Sequence, residues 1–352
     1  MQAARPRRPG NISVNNNGTP RIERVQPAAT LPGGEISIFG SGFSASGPIS
    51  PRVQFGEIDA GLVLAADSFL IVRVPDDAES SEVRVRSGES QSVPSTIALA
   101  HKIADNLHPV TNPAIDAEGN VYATYSGQRG QRVPVSLYRV TDGNVKPFVT
   151  ELINPTGLAV AHDGALFVTC RHDGTVHRIT PDGQSGQWIE GMGVATGLAF
   201  DANGNLYVGD RSGTIFKIGP DRQIYVFATL EPSVAAYHLA FSATGDLFVT
   251  GPTQSSYDRV YCITPEGEVS VFYRGLGRPQ GLAFDAEGNL YVAASLAGKR
   301  GVVRIDPARQ ASLVLAGSNI VGLAMQRRRA VLATTSALYS LDWDVEGMPL
   351  FG

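Results

Sequence analysis

The last two-thirds of the chain repeats itself. Segments starting at Pro155 (PTGLAVAHDGALFVTC), Ala195 (ATGLAFDANGNLYVGD), Tyr237 (YHLAFSATGDLFVTG), Gln280 (QGLAFDAEGNLYVAA) and Val321 (VGLAMQRRRAVLATT) share one pattern. A divergent first copy, NPAIDAEGNVYATYSG, starts at Asn112. Leu158, Leu198, Leu239, Leu282 and Leu323 are spaced 40, 41, 43 and 41 residues apart. A period of this size restricts a chain to a solenoid, a propeller or an array. In the copy from Ala195 four strands follow one another: GLAFD, LYV, TIFKI and IYVFA. The first turn, A-x-G-N, has its own chemistry: the Asp or Ser opening it bonds backbone two residues on, and Gly supplies positive φ. No copy shows the i, i+3, i+4 apolar spacing of a helix. Four strands per unit make one blade, so the six copies predict an all-β, six-bladed propeller.

The sixth copy supplies three strands, near 321–326, 331–335 and 337–343. The segment IALAHKIADNLHPVTNP, ahead of the first copy, is similar to VSVFYRGLGRPQG, a fourth strand leading into the next copy. Residues 97–105 are therefore predicted to complete the sixth blade, which leaves no open sheet edge. The tail EGMPLFG competes for that place. Upstream, residues 20–96 lack the repeat. They read as short strands (RIERVQP, GEISIFGSGF, RVQFGEI, FLIVRVP, SEVRVRS) with Val72/Val74 and Val83/Val85 alternating, the pattern of a half-buried sandwich. The expected division is a disordered segment at 1–19, an immunoglobulin-like sandwich at 20–96 and a propeller at 97–352.

Two resemblances sharpen this reading. The run Ile22 to Pro27, Gly33-Gly34, Ile36 to Phe43, Val53 to Gly56 and Val72 to Pro75 closely resembles the IPT/TIG domain over about 75 residues. In that family the Gly-x-Gly-Phe element, here Gly40 to Phe43, turns between strands, and the domain is a binding or spacing module. The propeller copies resemble NHL repeats and, equally, the senescence-marker/gluconolactonase propellers. Their GLAFD-x-x-GNLYV core speaks to fold and not to activity.

Composition excludes several partners. A net charge of −4 over 352 residues gives no concentrated basic surface for nucleic acid. No apolar run approaches the roughly 18 residues that cross a bilayer. The start, MQAARPRRPGNISVNNNGTP, has basic residues and no apolar core, so it does not read as a secretory signal. The cytoplasm is the default expectation, with the cell envelope as the alternative, where the N-x-S/T matches at Asn11 and Asn17 would matter. Cys170 and Cys262 lie in strand-like runs of different copies and are expected to be reduced and buried. A monomer is expected.

In a propeller the loops joining fourth to first strands and second to third strands share one face, the top. Its central ring is predicted from the residue before each GLAFD: Asn112, Thr156, Thr196, Tyr237, Gln280 and Val321. The gluconolactonase resemblance implies a divalent metal there, such as calcium or zinc, held by an early Glu and by Asn and Asp from motifs like PNG and PDG. The matching tripeptides here are Pro155-Thr156-Gly157, Ala195-Thr196-Gly197 and Pro279-Gln280-Gly281, and no ring position is acidic. Hydroxyls and amides alone hold a hard cation only in the weak class of about 10⁻⁴ to 10⁻³ M. No cofactor is therefore expected. G-x-S-x-G, H-E-x-x-H and P-loop motifs are absent. GMGVATG and GLGRPQG lie between strands, whereas a dinucleotide fingerprint needs a strand feeding a helix. His238, which stands where other copies have Gly, is the candidate catalytic base, weighed against a structural strand residue.

The loops carry more charge than the ring. The top is expected to present Arg129, Arg132, Arg171, His172, Arg211, Arg278, Lys299 and Arg300, against Asp173, Asp210 and Asp258. The lower face collects Asp116, Glu118, Asp163, Asp201, Asp246, Asp285 and Glu287. Arginine forks suit carboxylates and phosphates, although surface charge also serves solubility alone. The sequence thus points to a non-enzymatic binding protein whose top face captures a small anionic molecule or an acidic protein segment. The alternative is a metal-dependent hydrolase of the gluconolactonase type with a divergent centre. The candidate ligand residues are the ring, except Val321, together with His238, Arg129, Arg171, His172, Asp210, Arg211, Arg278, Lys299 and Arg300.

Overall fold

Every regular element in the computed structural model, which describes residues 18–45, 50–255 and 257–349, is a β-strand. The segment expected to be disordered lies outside the described residues except for Gly18 and Thr19. Among the described residues no helix is long and apolar enough to cross a membrane.

Each repeat folds into one antiparallel sheet, with its strands in sequence order. The inner strands are Ala114–Ile115, Pro155–Val160, Ala195–Phe200, His238–Phe241, Leu282–Phe284 and Ile320–Gln326. Each touches the next, and the last touches the first, so the sheets form a closed ring. Three recurring devices hold it. On the lower face Asp201 accepts hydrogen bonds from the Asn205 backbone (2.9 Å), the Asn205 amide (2.7 Å) and the Tyr207 hydroxyl. Asp116 with Asn120 and Tyr122, and Asp285 with Asn289 and Tyr291, repeat the pattern. The two copies with Phe in place of this Tyr, Phe167 and Phe248, also lack the Asn. Between sheets, Phe167, Tyr207 and Phe248 each stack edge-on against an aromatic of the next inner strand, at about 5 Å from Phe200, Phe241 and Phe284. Such pairs add about 0.5–1.5 kcal/mol to the burial itself. At the upper end the inner-strand glycines permit contact that no side chain would: a Cβ on Gly197 would sit 2.2 Å from the Tyr237 carbonyl oxygen, and one on Gly157 2.2 Å from that of Thr196.

The segment 97–105 divides between two sheets. His101–Ala104 pairs antiparallel with Leu338–Asp342 and completes the sixth sheet. Ala98–Leu99 instead runs parallel to Ala29–Thr30, which runs parallel to Ala311–Ala316, so the fifth sheet gains two strands at its outer edge. The tail plays another part. Gly347 bridges Asp285 and the Met348 backbone donates to Phe284 (3.0 Å), which lays the tail across the lower mouth of the ring.

Residues 21–96 build two sheets around a core of Ile36, Ile38, Phe43, Phe55, Leu70 and Val72. One strand there, Gly61–Ala66, has no counterpart in the sequence reading. It is an edge strand with Leu62, Val63 and Leu64 exposed, so it lacks the alternation that marks a half-buried strand. The sandwich does not hang on a linker. Leu31 donates to the Ala316 carbonyl (2.8 Å), Ala100 donates to Thr30 (2.9 Å), and Ala316 belongs to the sandwich core. The boundary expected at 96/97 therefore falls within a continuous hydrogen-bonded junction, because Ala29–Thr30 sits on the ring's fifth sheet.

The cysteines are free, as expected, but only Cys170 is buried, and burial pushes its thiol up to about 12. Cys262 is half-buried, because its strand is third from the axis and one face is partly open.

Candidate functional site

Most of the ring predicted from sequence is occupied by the seams between sheets. Thr156 and Thr196 are each 1% exposed. The Thr196 hydroxyl donates to the Gly209 carbonyl (2.8 Å) and accepts from the Tyr237 backbone (3.1 Å). Thr156 donates to Asn154 (3.0 Å), while its own carbonyl accepts from the Thr111 hydroxyl (2.6 Å). Tyr237, also 1% exposed, donates its hydroxyl to the Glu231 carbonyl. Asn112 uses both ends of its amide to close the ring, donating to Leu282 and accepting from Leu323 (3.2 Å each). None of these four polar groups is left for a ligand. The reason is geometric: inner strands converge at the axis, so short polar side chains there meet the neighbouring backbone before they meet solvent.

The axial cavity below is about 200 Å³, lined by inner-strand residues and closed by Met348 and Pro349. Among the described residues no ionisable side chain lines it. Among the described residues no three His, Cys, Asp or Glu side chains gather to hold a metal. The hydroxyls and amide that surround the hub are already engaged, so the donor set does not fit a divalent ion.

His238 is 1% exposed, and neither ring nitrogen has a partner among the described residues. Burial holds its pKa down to about 3, so the imidazole is neutral. It replaces the glycine whose Cβ, in other copies, would strike the next sheet. The following inner strand begins only at Leu282, whereas the equivalent strands begin three residues before their leucines, at Pro155 and Ala195. Buried away from solvent, His238 is a wedge and not an exposed base.

The arginines behave differently. Arg171 is half-buried; its terminal nitrogen lies 3.4 Å from the Gly127 carbonyl oxygen, and its Nε is buried with no partner among the described residues. Its pKa is lowered by burial first, then by the positive charges of Arg211 and Arg129. Arg211 donates to the Val234 carbonyl (2.9 Å). None of the three makes an ion pair among the described residues. Three loops thus bring guanidinium groups together on the first to third sheets. His172 is exposed beside Gly130 in the same region. Asp210, a candidate for the site, instead accepts from the Val194 backbone (2.8 Å) and from Ser212, holding two loops in place. Arg278, Gln280 and Arg300 meet elsewhere, around a cavity of about 280 Å³ on the fifth sheet. Lys299 leans toward the sandwich, with Nζ 3.3 Å from the Ser37 hydroxyl.

One organising residue escaped the sequence reading. Asn154 is fully buried with φ +51, donates to three carbonyls of residues 126–128 and accepts from Gly130 (2.6 Å), shaping the Arg129 loop. Its signal was the Asn-Pro dipeptide before the second copy, a known turn opener.

No protein-family model matches the sequence, and no curated protein matches it significantly. Solved structures do resemble it in fold. A gluconolactonase from Xanthomonas campestris superposes with a TM-score of 0.57 at 18% identity, over 70% of this chain and 90% of that one. An auxiliary nutrient binding protein from Bacteroides ovatus gives 0.53 at 11% identity, over 92% of this chain and 97% of that one. A catalytically inactive virginiamycin B lyase from Staphylococcus aureus, solved with quinupristin, gives 0.51 at 14%, over 83% and 99%. The ring is a β-propeller. At these identities the likeness speaks to fold alone.

Proposed function

We propose that the chain is a non-enzymatic binding protein: an immunoglobulin-like IPT/TIG module joined to a six-bladed propeller whose upper face captures an anionic ligand. The observation that carries this reading is the convergence of Arg171, Arg211 and Arg129 with no carboxylate partner among the described residues and one buried guanidinium nitrogen unbonded among them. Like charges gathered in a partly desolvated place repel one another, and an anion relieves that repulsion with charge-assisted bonds. The resemblance to a nutrient binding protein extends over 92% of this chain, more than the propeller alone supplies, and is consistent with a two-module binder. The ligand is a small anion or an acidic protein segment.

Calorimetric titration with inorganic phosphate, citrate and a glutamate-rich peptide tests this. Binding should weaken as salt rises, and Arg171→Ala with Arg211→Ala should lower affinity about tenfold. Binding that ignores both salt and the double variant sinks the proposal. The gluconolactonase likeness favours a second reading, a metal-dependent lactonase. Lactone hydrolysis that a chelator abolishes and calcium or zinc restores would establish it over the first.

A further inference from the structure

The cavity on the fifth blade has features that the arginine cluster lacks. Gly277, Arg278, Gln280, Ser295, Arg300 and Asn319 surround it, and Arg278 and Arg300 make no ion pair or side-chain hydrogen bond among the described residues. Two of its rim residues, Arg278 (φ +48) and Asn319 (φ +60), hold a left-handed backbone that costs a non-glycine residue energy. Such conformations persist where surrounding structure over-determines them, and they cluster at ligand sites. Gln280 is half-buried; its backbone is engaged with Ala293 and Thr250, and its side-chain amide has no hydrogen bond among the described residues. Beneath the cavity the inner strand of this blade starts late, at Leu282, next to the His238 wedge.

The cavity does not end at the propeller. Arg300 and Gly317 also line a second cavity of about 450 Å³, whose far wall is the sandwich: Glu35, Val63 and Arg73. The two spaces therefore adjoin through Arg300. Arg278 stands at the propeller end, Arg300 in the middle, and Lys299 and Arg73 at the sandwich end. Glu35 is the carboxylate facing the groove, and Arg73 has only a loose, exposed contact with Asp76 at 3.7 Å. Both walls are fixed relative to each other, because Ala29–Thr30 is hydrogen-bonded into the blade whose strands line the groove.

We infer that the sandwich and the fifth blade together form a groove for an elongated small molecule with an acid group at each end. Resting on the reading of the upper face as an anion-binding surface, this gives that surface a chemical class and gives the sandwich a role as one wall. The basic groups are spread along the groove, with exposed Val63 and the glycines Gly298 and Gly317 contributing the uncharged lining, which suits a dianion with a short spacer between its acid groups better than a compact one.

The test uses the full chain and calorimetry with succinate, adipate and suberate, the monocarboxylate hexanoate, and inorganic phosphate. At least one dicarboxylate should bind about tenfold or more tightly than hexanoate and phosphate. Arg300→Ala should weaken that binding about tenfold, and Arg278→Ala and Arg73→Ala each severalfold, with Tm unchanged because all three side chains are exposed. Arg171→Ala should leave it unchanged. Equal binding of hexanoate and the dicarboxylates, indifference to Arg300→Ala, or no dicarboxylate binding at about 10 mM overturns the groove. If phosphate, citrate or the peptide still binds and depends on Arg171 and Arg211, the broader anion-binding reading stands without it. If phosphate and citrate outrank the dicarboxylates and respond to Arg278 and Arg300, the site is compact and the elongated-ligand inference fails.

Discussion

On the lower face Asp116 and Asp285 each accept three hydrogen bonds inside their own turn and Asp201 accepts four, while on the upper face Arg171, Arg278 and Arg300 form no ion pair among the described residues. Both faces looked charged in the sequence. The difference is in what the charges are for. A carboxylate four residues before an Asn and six before a Tyr organises a turn and faces inward, whereas these arginines from separate loops have no carboxylate within ion-pair distance among the described residues. A formal count of acids below and bases above therefore misses that these acids are spent inside their own turns while these arginines are not paired with carboxylates among the described residues.

The largest effect that could sharpen this contrast concerns His238, the buried histidine among the upper-face candidates. Its folded-state pKa of about 3 lies below the ordinary value near 6.5, so the unfolded chain takes up the proton first. Its contribution to stability is complete above pH 6.5 and is lost as pH falls toward 3, with a slope approaching about 1.4 kcal/mol per pH unit. Urea denaturation at pH 7, 5.5 and 4.5 should show His238→Gly losing less stability on acidification than the parent. Parallel curves would mean the imidazole is not buried uncharged.

Next comes the lower rim. Asp285→Ala strands the Asn289 backbone, the Asn289 amide and the Tyr291 hydroxyl, and should cost about 2–4 kcal/mol in denaturant unfolding. A loss under about 0.5 kcal/mol would show that these acids are ordinary surface charges and would erase the distinction between the faces. By contrast Arg171→Ala should shift stability little while weakening anion binding severalfold, a split that denaturation and calorimetry on one sample can read. The smallest effect belongs to Tyr207→Phe, which removes one hydroxyl from a turn whose other three bonds to Asp201 remain. It should cost about 1 kcal/mol or less, and the native Phe167 and Phe248 copies show that the aromatic stack survives without the hydroxyl.

The repeat made the sheets legible because most copies carry their own local instructions: turn residues, alternation and, in four of the six, a glycine at the crowded upper end. Those signals act over a few residues, so a single sequence states them. The closing role of His101–Ala104 was readable for the same reason, since a missing fourth strand in one copy must be supplied from outside it. The edge strand Gly61–Ala66 was not readable, because an exposed strand has no buried face to impose a pattern.

What the sequence determined by itself is the all-β character, the repeat sheets and the identity of the charged loops. The tertiary structure alone decided which of those residues are available. Thr156, Thr196, Tyr237 and Asn112 fall at the hub but are drawn into seams between sheets, a consequence of convergence at an axis that no linear spacing encodes. Arg278, Arg300 and Arg73, scattered over more than two hundred positions, come to one groove only because Ala29–Thr30 crosses onto the fifth blade. Local chemistry is written in neighbouring residues; the company a side chain keeps depends on where the chain returns.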